Sequence, residues 1–121
     1  MSYMGAIRSF LQGAEAFRRR AAERLNGSPY VLKLTYLGGH PGIWDPAEFY
    51  IGRVEGCLRL VDQRGERCYD LPIDRINGMG CDEEGHVELQ FEPTAGLVTT
   101  VAFQSGQGGT EGYRKLVRLI V

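Results

Sequence analysis

From residue 28 onward, apolar and polar residues alternate in short runs separated by turn residues, and the chain closes on a helical pattern. The clearest run is His86–Glu92. There Val87, Leu89 and Phe91 share one parity, and His86, Glu88, Gln90 and Glu92 share the other. Such alternation predicts an antiparallel strand with one face buried and one in water. Comparable runs at Tyr30–Leu37, Glu48–Val54, Cys57–Val61, Glu66–Leu71, 76–81 and Leu97–Gln104 predict seven strands in all. Glu55-Gly56, Asp62-Gln63-Arg64-Gly65, Asp82-Glu83-Glu84-Gly85 and Pro93-Thr94-Ala95-Gly96 supply turns. Pro72–Ile76 is expected to resume as a sheet edge or a new strand, because proline cannot donate to a central ladder.

Two segments carry helical periodicity. At the C-terminal end, Tyr113, Leu116, Val117 and Ile120 predict one buried face for a helix over residues 110–121, with Thr110 as its N-cap. At the N-terminal end, Met4, Ile7, Leu11, Ala14, Phe17, Ala21 and Leu25 recur every three or four positions, with Phe10 beside them. They predict an amphipathic helix over residues 3–25. Gly27 and Pro29 stop it. The reading is therefore an N-terminal helix and linker over 1–28, followed by one β domain over 29–121. The expected fold is mainly β: a seven-stranded antiparallel barrel or sandwich capped by a C-terminal helix.

Composition changes this picture little. The chain has 121 residues, 43% of them hydrophobic and 24% charged, which suits one globular core. The net charge of −1 is uneven. Five arginines against two glutamates give +3 within residues 1–28, so the remainder carries −4. An acidic body argues against nucleic acid as a partner, since phosphate binding needs clustered Lys and Arg. Three widely spaced cysteines, Cys57, Cys68 and Cys81, form no disulfide framework and point to a reducing compartment. Residues 1–8 lack the pattern of a secretory signal, and no apolar run reaches the ~20 residues that span a bilayer. The expected location is cytoplasmic, with a place at the membrane periphery as the alternative.

Tyr36-Leu37-Gly38-Gly39-His40-Pro41-Gly42 and Leu71-Pro72-Ile73-Asp74-Arg75-Ile76, set in this order of elements, resemble bacterial PH-like or GRAM-like domains of the pleckstrin-homology superfold. The resemblance covers about residues 30–121. It implies a scaffold that binds phosphoinositides, peptides or proteins. Lipid-binding members place several Lys and Arg on the first two strands. Here Lys33, His40 and Arg53 are interspersed with Asp45 and Glu48, a departure from that pattern.

Candidate chemistry is sparse. The gaps between the cysteines are too wide for a structural zinc site. Cys81 and His86 could meet across the 82–85 turn, but a reactive thiol needs electropositive surroundings and three acids lie between them. Asp82-Glu83-Glu84 reads as a solvated turn. Ser105–Thr110 lacks the Gly-Lys-Ser/Thr ending of a phosphate loop. No catalytic, cofactor-binding or metal-binding residue is assigned, and the expectation is no enzymatic activity and no cofactor.

The candidate contact residues are Arg8, Phe10, Phe17, Arg19, Arg20, Arg24, Ile43 and Trp44. The first six flank or complete the stripe of the N-terminal helix. Ile43-Trp44 lies in a Gly- and Pro-rich loop and is expected to be buried as a lid on the barrel mouth. Exposed, it would be a binding or membrane-dipping element. The expected function is interaction or assembly, by self-association or a protein partner, through the helix or a sheet edge. The alternative is binding to an anionic membrane through the Arg-flanked helix. A small-ligand pocket in the barrel mouth rests on fold analogy alone.

Overall fold

The computed structural model describes residues 3–106 and 108–121, with side chains from residue 13 onward. Helix α1 covers Tyr3–Arg24. The strands are β1 (Leu32–Gly38), β2 (Ala47–Val54), β3 (Cys57–Asp62), β4 (Cys68–Pro72), β5 (Ile76–Cys81), β6 (His86–Thr94) and β7 (Leu97–Gln104). Helix α2 covers Glu111–Ile120. All seven strands lie in one antiparallel sheet of order β4-β3-β2-β1-β7-β6-β5. The protein is mainly β, as its alternation predicts. The sheet is not closed, and β4 and β5 are its two edges.

The inward residues of both halves share one core. Leu60 of β3, Leu71 of β4, Leu89 of β6 and Phe103 of β7 are all fully buried in it, so the sheet wraps around its contents. Helix α2 covers the end of this core beside the start of β1 and the end of β2. Its buried face is Gly112, Leu116 and Leu119, with Tyr113 and Ile120 packed at the side. The face is therefore rotated from the one that Tyr113, Leu116, Val117 and Ile120 predict. Gly112 is the reason: a Cβ there would lie 3.0 Å from Ser105 Cβ and 3.3 Å from Leu34 Cδ2. The missing side chain lets the helix settle on that side. Thr110 precedes α2 but makes no side-chain capping bond. The other end is capped from the sheet, where Arg53 Nη1 donates to the carbonyls of Leu119 (3.3 Å) and Ile120 (3.4 Å). Tyr30 adds a hydroxyl bond to the Lys115 carbonyl.

Two expectations need correction. Ile73–Arg75 is a single 3-10 turn linking β4 to β5, so Pro72–Ile76 is not a continuous strand. A 3-10 turn closes the short connection that an extended segment would overrun. Glu66 and Arg67 belong to the β3–β4 turn instead of to β4, because Asp62 draws them in: its carboxylate accepts from the Glu66 N–H at 2.8 Å, and its own N–H donates to the Arg67 carbonyl.

Candidate functional site

Helix α1 docks on the outer face of the sheet, away from the main core. Val61 alternates to the opposite face from Leu60, and Ala21 and Leu25 close over it with Tyr50 and Val54 at the side. The β3–β4 turn then grips the helix. Arg24 Nε donates to the Gly65 carbonyl at 3.3 Å, and Arg20 Nη1 lies 3.3 Å from Glu66 Oε1. The Phe17 ring is flanked by two guanidiniums, Arg20 at 5.5 Å and Arg64 at 5.8 Å from its centroid. The half-exposed Arg20–Glu66 pair contributes little by itself. The close approach depends on Gly65, where a Cβ would fall 2.6 Å from the Ala21 nitrogen.

The end of α1 is fixed from below. Arg59 on β3 forks onto Asp70 of β4 at 2.7 and 3.0 Å, and its Nη1 also donates to the Arg24 carbonyl at 3.0 Å. The bond to Asp70 raises the guanidinium pKa further. Beyond the helix, the Ser28 hydroxyl donates to the Tyr30 carbonyl at 2.6 Å and accepts from the Arg53 N–H at 2.9 Å. Among the described side chains, these contacts between α1 and the body begin at Phe17 and run toward Leu25.

The loop from Gly39 to Pro46 is the second element. The Tyr36 ring is fully buried in the core. Its hydroxyl accepts from the His40 N–H at 2.8 Å and donates to the Ile43 carbonyl at 2.9 Å. Gly39 presses on β7 so closely that a Cβ would meet the Thr100 carbonyl oxygen at 1.8 Å. His40 stacks on Phe91 with centroids 5.7 Å apart, and burial lowers its pKa. Thus pinned, the loop splits the pair expected to act as a lid. Ile43 is buried in the core, whereas Trp44 is 90% exposed. The buried reading holds for Ile43 and fails for Trp44: fixing the Ile43 carbonyl on Tyr36 turns the next side chain outward. A cleft of about 340 Å³ lies between Trp44 and the β3–β4 turn, bounded by Asp45, Arg64, Arg67 and Tyr69. The strand directions put the β6–β7 turn at this same end, and there Leu97 and Val98 are 64% and 55% exposed.

Phe17, Arg20 and Arg24 therefore meet at the β3–β4 turn, and Arg19 stays exposed. The side chains of Arg8 and Phe10 lie outside the described residues. Sequence reading missed Arg64, Gly65 and Glu66 as the helix clamp, and Arg59 as its anchor. Gln63-Arg64-Gly65 advertises a turn, but nothing local says that a helix some forty residues earlier lands on it.

Among the described residues, the remaining polar groups form no comparable constellation. Burial, and then Asp70, raise the Cys57 thiol pKa. His86 Nδ1 lies 2.8 Å from Asp82 Oδ2, a bond that lowers the carboxyl pKa and raises the imidazole pKa. Asp82, Glu84 and His86 bring donor atoms within 4.8 Å of one another on an open turn.

No family model matches this chain, and no curated protein matches it. Among solved structures, it is similar to the C-terminal domain of an unknown protein from Leishmania infantum. The two share 12% identity over 88% of this chain and 96% of that one, with a TM-score of 0.57. The likeness is one of fold. No helix among the described residues is long and apolar enough to cross a membrane.

Proposed function

We propose that the chain is a non-enzymatic, PH-like interaction and assembly module that joins a second copy of itself or a protein partner through α1. The observation that carries this is the long apolar stripe of α1, read together with its docking through Phe17 to Leu25. Its described contacts with the body occupy Phe17 to Leu25, while the apolar positions Met4, Ile7, Leu11 and Ala14 continue the stripe upstream. A 22-residue helix is about 33 Å long. An isolated apolar stripe of that length gains most of its stability from a packing partner. The order of four strands, three strands and a closing helix supports the PH-like part of the reading.

The test is amide hydrogen exchange of the full chain at rising protein concentration. Protection of residues 3–16 should grow with concentration while protection of the sheet stays constant. Protection of that segment independent of concentration, and unaltered by cell extract, would remove the basis of this reading.

A second reading, attachment to an anionic membrane surface, draws support from a different observation. Traced backward from Leu25 to Phe17, α1 passes the β3–β4 turn at the end that also exposes Trp44, Leu97 and Val98. Apolar tips at that end, together with the exposed Arg18 and Arg19 of α1, suit the headgroup boundary. Flotation with anionic and neutral vesicles tests it: binding should require anionic lipid and weaken with salt. No flotation at low salt removes it.

A further inference from the structure

The Arg18 position breaks the apolar spacing of α1, and its surroundings suggest why. At 100° per residue, Leu11, Glu15, Arg18, Ala22 and Leu25 fall within an arc of about 80°. The last three of these line one side of an open groove of about 270 Å³, whose other wall is Val31 and Tyr50. The groove is predominantly apolar, and Val31 in it is 46% exposed. The side of α1 that grips the β3–β4 turn, Phe17, Arg20 and Arg24, points elsewhere. Glu15 and Arg18 are exposed and make no ion pair among the described residues, not even with each other at three-residue spacing.

Along this face from Leu11 to Ala22 the order is apolar, acidic, basic, apolar. Read in the opposite direction, it is apolar, basic, acidic, apolar. The pattern is complementary to itself only when reversed. An antiparallel second helix centred between residues 16 and 17 sets Glu15 against Arg18 of the other copy twice, and Leu11 against Ala22 twice.

We infer that the groove beside α1 receives α1 of a second copy, antiparallel and about a two-fold axis, with reciprocal Glu15–Arg18 pairs fixing the register. The inference rests on the assembly reading above and specifies its partner and geometry. An isologous contact of this kind closes on itself and stops at a dimer. The charged pair gives up some stability relative to an all-apolar seam and excludes the parallel arrangement, where Glu15 faces Glu15 and Arg18 faces Arg18.

The experiment is sedimentation equilibrium of the full chain and four variants, each checked for unchanged far-ultraviolet circular dichroism. Wild type should reach twice the monomer mass. Arg18→Glu and Glu15→Arg should each weaken dimerisation by about tenfold or more, and the double variant should recover to within about threefold of wild type, as a coupled pair requires. Ala22→Arg should weaken it without rescue. A double variant as weak as the singles would overturn the proposed pairing. So would a dimer indifferent to Arg18→Glu and Ala22→Arg, although assembly by another part of α1 would then stand. A wild-type chain that stays monomeric at every concentration overturns both the pairing and the self-association it rests on.

Discussion

The Tyr36 hydroxyl donates to the Ile43 carbonyl at 2.9 Å, reaching from the core into the loop from Gly39 to Pro46. Because the same oxygen accepts from the His40 N–H, one buried side chain fixes the loop at two points. Tyr36→Phe keeps the ring and removes the hydroxyl, leaving two backbone groups without their partner. The expected cost is about 1–3 kcal/mol in urea unfolding. A loss under about 0.5 kcal/mol, the range of an ordinary surface change, would mean that the loop does not depend on this bond.

The grip on α1 should fail at Gly65. Its φ of +72° is costly for any other residue, and a Cβ there meets the helix backbone. Gly65→Ala should cost about 1–3 kcal/mol at the turn. It should also speed tryptic cleavage after Arg20 and Arg24 while the sheet still unfolds cooperatively. Cleavage at the wild-type rate would show that the turn does not hold the helix.

His40 should make the fold sensitive to acid. Burial against Phe91 lowers its pKa from the ordinary 6.5, so the folded protein favours the neutral ring. The unfolded chain then takes up a proton first as pH falls. The stability associated with neutral His40 is complete above about pH 6.5 and is lost as pH falls through the lower folded value. His86, with its raised pKa, acts in the opposite direction, so the comparison is with a variant that retains it. The urea midpoint of wild type should drop more than that of His40→Gln between about pH 7.5 and about pH 5.5. Equal drops would contradict this assignment.

Trp44 separates surface function from stability. At 90% exposure it contributes little packing, so Trp44→Ala should change stability by no more than about 0.5 kcal/mol. If the membrane reading is correct, the same change should reduce flotation with anionic vesicles. A large stability loss would mean that the ring packs on the body in solution.

Much of the fold was legible because alternation is a local signal. Val87, Leu89 and Phe91 marked β6 with no reference to the rest of the chain, and Glu55-Gly56, both with positive φ, announced the two-residue hairpin turn between β2 and β3. The buried face of α2 was misplaced because a glycine carries no hydropathy signal, yet Gly112 decides how the helix sits. Trp44 was misplaced because a buried hydroxyl eight residues earlier directs it outward. The α1 clamp was invisible for the same kind of reason: Gly65, Glu66 and Arg59 become part of a site only when β3 and β4 bring them under the helix. What the chain displays residue by residue is its elements; what it conceals is where one element lands on another.

If α1 is an assembly element, the mass of the full chain in solution depends on its concentration. Light scattering across a wide concentration range should show a reversible rise from one chain toward two. A single-chain mass at every concentration, with no partner retained from extract by the same helix, would contradict it.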